Sequence, residues 1–244
     1  ISSSLAMVKL SKMAAKEVSG TTYPRLASAG DSAIVIELGS EIDPSVNDQV
    51  YSLVKTVETA DLEAIRELVP TYRSLLVNYD PLVSRFVEMH ERLSELVDLS
   101  LDQVKQEPEQ AHIVELSVVY GGNDGPDLES LAEYVNLSVQ DVIEIHSSID
   151  YRVYMIGFAP GFPYLGGLDQ RIAIPRLKTP RVSVPAGSVG IAESQTGVYP
   201  NASPGGWQLI GRTLAQLFDV NSPSPSLITP GSKVRFVPVE SHDQ

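Results

Sequence analysis

Residues 151–169 read YRVYMIGFAPGFPYLGGLD, and this stretch decides the class of fold. Arg152–Ile156 is an apolar run of strand length. It then meets Gly157, Pro160, Gly161, Pro163, Gly166 and Gly167. Proline removes a backbone donor and glycine costs backbone entropy, so a helix cannot continue through such a segment. The texture persists downstream, with 11 of the 17 prolines and 11 of the 17 glycines between Gly157 and Pro238. Arg181–Val184, Ser188–Ile191, Gln208–Ile210 and Lys233–Val237 are further short apolar runs, and only Thr213–Leu217 offers a helical turn. Many short strands divided by Pro/Gly turns predict a closed β-barrel or a sandwich.

Upstream the pattern changes. Ile113–Tyr120 alternates as a strand, and Pro126–Val135 and Ser138–Ser147 read as two short helices. Ser138 is a good N-cap, with Asp141 three positions on as a variant capping box. Leu101–Gln110 is polar, contains Pro108 and reads as a linker. Before it, Asp31–Leu38 is rich in β-branched residues and reads as a strand. Asp43-Pro44 starts a helix running to about Thr59, with Val46, Val50, Leu53, Val54 and Val57 on one face. Ile65–Val69 and Tyr72–Tyr79 flank Pro70-Thr71 as a hairpin. Asp80-Pro81 repeats the helix-start chemistry, and Leu82, Phe86, Met89, Leu93, Leu96 and Val97 give that helix its buried stripe. The chain is therefore expected to be α+β: a tail or cloning remnant at 1–21, a small α+β sandwich at 22–105 and a β-barrel domain at 106–244.

Composition narrows the function. With 43% apolar and 20% charged residues, the 244-residue chain can bury a core. It has no cysteine, which excludes disulfides, thiolate nucleophiles and Cys-bound metals. No run of about 18 apolar residues marks a membrane span, and Ile1–Gly20 lacks the apolar core of a signal peptide; a cytoplasmic location is the expectation. The formal charge of −13 argues against nucleic acid as a partner. Tyr151–Arg235, however, holds eight basic and three acidic residues, a local excess of +5. Such an island suits a small anion or an acidic partner surface, or is a solvated face. Four scattered histidines lack metal-ligand spacing, so no metal site is expected. There is no P-loop and no G-x-S-x-G.

Three blocks carry candidate chemistry: 151–169, IPRLKTPRVSVPAGSVGIA at 174–192 and QTGVYPNASPGGWQLIGRT at 195–213. Their rigid loops hold aromatic side chains at low entropy cost, as a ligand pocket needs. Phe158, Pro160, Phe162 and Tyr164 come from the first block. Gln195, Thr196, Tyr199, Ser203 and Trp207 come from the third. Arg176 and Arg181 from the second offer bidentate forks for a carboxylate. His146 is the candidate for proton transfer near neutral pH, or else a helix-end histidine. Tyr154 and Tyr199 are read either as hydrogen-bond donors or as core aromatics, and Arg212 as a site residue or a structural one.

These blocks, with PGSKVRF at 230–236, GDSAIVIELG at 30–39 and ELVPTYRSLLVNYDP at 67–81, resemble the family of KipI, the 5-oxoprolinase component PxpB and allophanate hydrolase subunit 1, over roughly residues 22–240. The resemblance implies an N-terminal α+β domain and a cyclophilin-like C-terminal barrel. It also implies one of three roles. The first is a subunit of an ATP-dependent 5-oxoprolinase, inactive alone, whose partners are a KipA/PxpC-like carboxyltransferase subunit and a LamB/YcsF-like subunit. ATP would then enter through the assembled complex, since no motif here binds it. The second is a KipI-type inhibitor whose partner is a sporulation histidine kinase. The third is a carboxyltransferase component of urea carboxylase.

Overall fold

The computed structural model describes residues 22–103 and 112–240. The expected tail at 1–21 and the boundary at 105/106 lie outside the described residues. The chain divides into two compact units, Ile1–Glu107 and Pro108–Gln244.

The first unit contains β1 (Arg25–Ser28), β2 (Ala33–Glu37), α1 (Pro44–Thr59), β3 (Ile65–Pro70), β4 (Ser74–Tyr79) and α2 (Phe86–Gln103). The sheet is antiparallel with order β1-β2-β4-β3. Alternation in β2 and β4 turns Ile34, Ile36, Leu75 and Val77 to one face, where they pack with Val50, Leu53 and Val57 of α1 and Leu93, Leu96 and Val97 of α2. Asp43 caps α1 as expected: its Oδ1 accepts the Ser45 and Val46 amides at 2.8 and 3.3 Å. The buried Asn47 donates to the Thr71 and Tyr72 carbonyls, tying α1 to the β3–β4 connection.

The start of α2 needs correction. Asp80 accepts the Leu82 amide at 2.9 Å, its carbonyl accepts from Val83 and Ser84, and its carboxylate pairs with Arg66. These bonds close a turn. The helix begins at Phe86, where Glu88 reaches back to the Arg85 amide, half of a capping box. Leu82 is consequently 96% exposed and Phe86 40% exposed, while Met89, Leu93, Leu96 and Val97 are buried as expected.

The second unit contains β5 (Ile113–Tyr120), α3 (Leu128–Tyr134), α4 (Val139–Ser147), β6 (Asp150–Ile156), β7 (Pro163–Gly166), β8 (Arg181–Val184), β9 (Ser188–Ala192), β10 (Gln195–Val198), β11 (Ser203–Gly205), β12 (Gln208–Arg212) and β13 (Lys233–Pro238). Seven strands close into a barrel of order β10-β7-β6-β13-β5-β12-β9. Only β5 and β13 run parallel; their neighbours pair antiparallel. Closure leaves no open edge, which is how an all-β core escapes strand-to-strand aggregation. Leu116, Val118, Val153, Ile191, Ile210 and Val234 fill the interior, with Leu131 of α3 and Val142 of α4 in the same cluster. Ser138 and Asp141 form the complete capping box of α4. β8 and β11 form a separate two-stranded sheet. Thr213–Leu217 is not helical. The fold is α+β with a closed barrel, and among the described residues no helix is long and apolar enough to cross a membrane.

Candidate functional site

His146 sits at the end of α4 with no exposed surface. Its ring stacks on Phe236 at 4.6 Å between centroids. Nδ1 lies 2.7 Å from the Tyr120 hydroxyl and Nε2 lies 2.9 Å from Thr196 Oγ1. Thr196 donates its one proton to the Gly190 carbonyl at 3.0 Å. Nε2 must therefore carry the imidazole hydrogen, and Nδ1 accepts from Tyr120. Every polar valence of the ring is satisfied by the neutral form. Burial lowers the His146 pKa to about 3 and raises that of Tyr120 well above its usual value. His146, the candidate for proton transfer, is thus fully buried and held neutral in this fold, and Thr196, expected at a substrate, belongs to the same buried hydrogen-bond chain.

Arg181 is the second residue whose surroundings change its reading. Its guanidinium meets Asp127 at 2.6 Å, with side chains 28% and 12% exposed, and its other nitrogen donates to the Trp207 carbonyl at 3.4 Å. The second Asp127 oxygen accepts the Leu209 amide at 2.6 Å. Asp127 stands at the N-cap position of α3 but makes no cap bond; instead it ties that helix to β12 and β8. Neither Asp127 nor Tyr120 was singled out by the sequence. The available signal for Asp127 is its place between Pro126 and the α3 pattern, which by itself points to capping.

Most of the remaining candidates gather around Tyr199. Phe158, Phe162, Tyr164, Tyr199 and Trp207 form one aromatic cluster, with ring centroids 5.2 Å apart for Phe162–Tyr199, 5.6 Å for Phe162–Trp207 and 6.4 Å for Phe158–Tyr199. The crossings are mostly edge-to-face, the geometry favoured by the ring quadrupoles. A side chain at Gly205 would collide with the Tyr199 hydroxyl, so only glycine admits this ring beside β11. Phe158 is 64% exposed and holds a left-handed backbone at φ +68°, a conformation that costs a non-glycine residue about 1–3 kcal/mol.

Exposed Arg176 lies near this cluster, its chain segment held by hydrogen bonds on either side of it: Leu177 donates to the Gly206 carbonyl at 2.8 Å and Gln208 donates to the Pro175 carbonyl at 3.1 Å. Burial raises the Tyr164 and Tyr199 pKa values, and the Arg176 charge opposes that rise at both hydroxyls. Among the described residues no carboxylate pairs with Arg176. Ser203 pairs with Val184 across β11–β8, so it faces the same side as that buried neighbour of Tyr199. Its Oγ is buried and has no hydrogen-bond partner. Pro160 lies exposed at the tip of the 157–162 turn, and Gln195 is half-buried where β10 begins.

Most backbone donors of the glycine-rich loop turn inward or are missing. Gly157, Ala159 and Phe162 donate their amides to Phe162, Gly157 and Ala159 carbonyls within the loop itself, and Pro160 and Pro163 have no amide. A phosphate cradle needs such donors pointing outward.

The model of the carboxyltransferase domain, subdomain C and D, matches residues 24–228. This chain belongs to that family. Among its carboxyltransferase-domain relatives, the B subunit of the Bacillus subtilis (strain 168) 5-oxoprolinase is 42% identical over 235 residues, covering 91% of this chain and 96% of that protein. A conserved uncharacterized protein of known structure from Pyrococcus horikoshii is 49% identical, with a TM-score of 0.52, over 88% of this chain and 98% of that one. The Kluyveromyces lactis urea amidolyase is 23% identical with a TM-score of 0.70; the likeness spans 88% of this chain but 15% of the amidolyase, and it shows a shared fold.

Proposed function

We propose that this chain is the B subunit of an ATP-dependent 5-oxoprolinase and works with partner subunits to open the lactam of 5-oxoproline to glutamate. The observation that carries this reading is the match to a 5-oxoprolinase B subunit along nearly the whole of both chains. In the reaction the ring C–N bond breaks, water supplies the oxygen of the new carboxylate and the nitrogen leaves as the amine of glutamate. A lactam is a poor electrophile, so ATP is needed to activate it. The geometry supports a division of labour. The histidine is sealed and the glycine-rich loop spends three of its amides on its own carbonyls, whereas an aromatic wall with a cation is present. This chain would hold substrate, while a KipA/PxpC-like and a LamB/YcsF-like subunit would complete the ATP-handling machinery. Glutamate release from 5-oxoproline and ATP is the test, with the chain alone and with those subunits. Turnover is expected only in the assembled complex. Turnover by the isolated chain would overturn the division of labour, and an inert complex would overturn the 5-oxoprolinase reading.

A further inference from the structure

Three unrelated features gather around Tyr199; two of them, at Ser203 and Phe158, are costs to the folded state when no ligand is bound, and the third, Arg176, is an exposed cation beside them. Ser203 Oγ is a buried hydroxyl without a partner, and a polar group left unsatisfied inside a protein destabilises it. Phe158 stands over the Tyr199 edge, exposed and in a left-handed backbone conformation. Arg176 is pinned at the Gly206 edge of the cluster by its neighbours' hydrogen bonds, with no carboxylate opposite it among the described residues. Four polar residues of the same unit do not share this state: His146, Thr196, Arg181 and Asp127 all have their partners. An unsatisfied buried hydroxyl, a strained backbone and an exposed cation gathered in one place mark a site built to be completed by something else.

We infer that the Tyr199 cluster is the subsite for a compact ring bearing both a carboxylate and an amide, with Arg176 pairing the carboxylate and Ser203 Oγ donating to the amide carbonyl. The ring lies against the Tyr199 and Phe158 faces. This deepens the 5-oxoprolinase reading and rests on it, since 5-oxoproline is a five-membered lactam with one carboxylate. In the present conformation the Ser203 hydroxyl is shut away from solvent, so binding has to part the cluster. Phe158 is the side chain whose release would open it, and a change of its backbone out of the left-handed region would relieve strain at the same time.

The chain has a single tryptophan, Trp207, and it lies in the cluster. Its fluorescence therefore reports on occupancy without a label. The full chain is titrated with three probes: 5-oxoproline, its neutral carboxamide, and cyclopentanecarboxylate, which keeps the ring and the charge but lacks the lactam. Wild-type protein should give a saturable change with 5-oxoproline. Arg176→Gln should weaken 5-oxoproline roughly ten- to a hundredfold, as loss of a charge-assisted contact does, and leave the carboxamide nearly unchanged. Ser203→Ala should weaken 5-oxoproline and the carboxamide and leave cyclopentanecarboxylate unaffected. Arg171→Gln, an exposed arginine paired with Asp169 outside the cluster, controls for net charge. In the assembled complex the first two variants should raise KM for 5-oxoproline by the same factors.

Equal loss of all three probes in both variants would mean general damage and would overturn the assignment. So would unchanged affinity and KM, or no saturable signal in the chain together with unchanged KM in the complex. A wild-type complex that turns over while the variants behave as wild type removes the subsite and leaves the proposed function standing. Selective probe binding beside an inert wild-type complex does the reverse.

Discussion

The His146 network and the Tyr199 cluster occupy the same barrel unit and are built from the same kinds of residue, an aromatic wall around a few polar groups. They differ in whether their hydrogen bonds close. Tyr120, His146, Thr196 and the Gly190 carbonyl form an unbroken donor–acceptor chain from β5 through α4 to β10 and β9. At Tyr199 the chain is open: Ser203 Oγ has no partner and Phe158 is held in a strained, exposed position. A closed network stabilises one fold and has nothing left to offer a ligand. An open one is costly until something fills it. Partner geometry, and not residue type, separates the closed polar groups from the open ones here.

The strongest way to break this contrast is His146→Ala. It leaves a cavity and two stranded hydroxyls at once, so we expect a loss of about 3–5 kcal/mol in urea denaturation. Protonation is the gentler probe. The folded imidazole stays neutral to about pH 3, whereas the unfolded one takes a proton near 6.5. The unfolded state thus binds more protons between those values, so stability rises with pH there. The contribution is complete above about pH 6.5 and is lost as pH falls toward 3, at up to about 1.4 kcal/mol per unit. Between pH 6.5 and 5 most carboxylates remain ionised, and the urea midpoint should already fall. A flat midpoint across that interval, or an alanine variant that melts like wild type yet loses kcat, would return His146 to the catalytic candidates.

Asp127 tests the contrast at the next level down. Asp127→Ala strands Arg181 and the Leu209 amide in partly buried surroundings, and about 2–3 kcal/mol should be lost. Asp127→Asn keeps an acceptor for Leu209 and should cost less. Arg181→Ala should lower the melting temperature without a selective effect on 5-oxoproline affinity. The opposite outcome for Arg181, normal melting with weakened substrate, would move this arginine from the closed group to the open one.

The same distinction explains what could be read from the sequence. Period-2 and period-3.6 patterns report one side chain at a time, and they located α1, α4, β5, β6 and β13 closely. The short β7, Pro163–Gly166, was hidden because its proline and glycine look like punctuation; in a barrel they lie at strand ends, where the ladder does not need them. The residues that gather at Tyr199 came from motif texture, since rigid loops concentrate around sites. Which of them close on one another could not be read. Arg181 finds Asp127 across 54 positions and His146 finds Thr196 across 50, and nothing local encodes such pairs. Arg176 and Arg181 therefore look equivalent in PRLKTPR and are opposite in the fold.

The smallest expected effect concerns the first unit, where the core is mostly aliphatic and closes without a buried histidine. Apolar spacing placed Leu82 and Leu93 on one stripe. They differ in the structure because Asp80 ends its own hydrogen bonding in a turn, before α2 starts at Phe86. Leu82 is left 96% exposed while Leu93 is fully buried. Burial decides the cost of removing a side chain: an exposed one gives up little area, whereas a buried leucine loses its transfer free energy and leaves a cavity. Leu82→Ser should change stability by less than about 0.5 kcal/mol, whereas Leu93→Ala should cost about 2–5 kcal/mol. The pair is measured by urea denaturation of the full chain, with the slope checked so that a change of midpoint reports stability alone. If Leu82→Ser destabilises as much as Leu93→Ala, Leu82 is covered in solution and the turn at Asp80 does not hold it out.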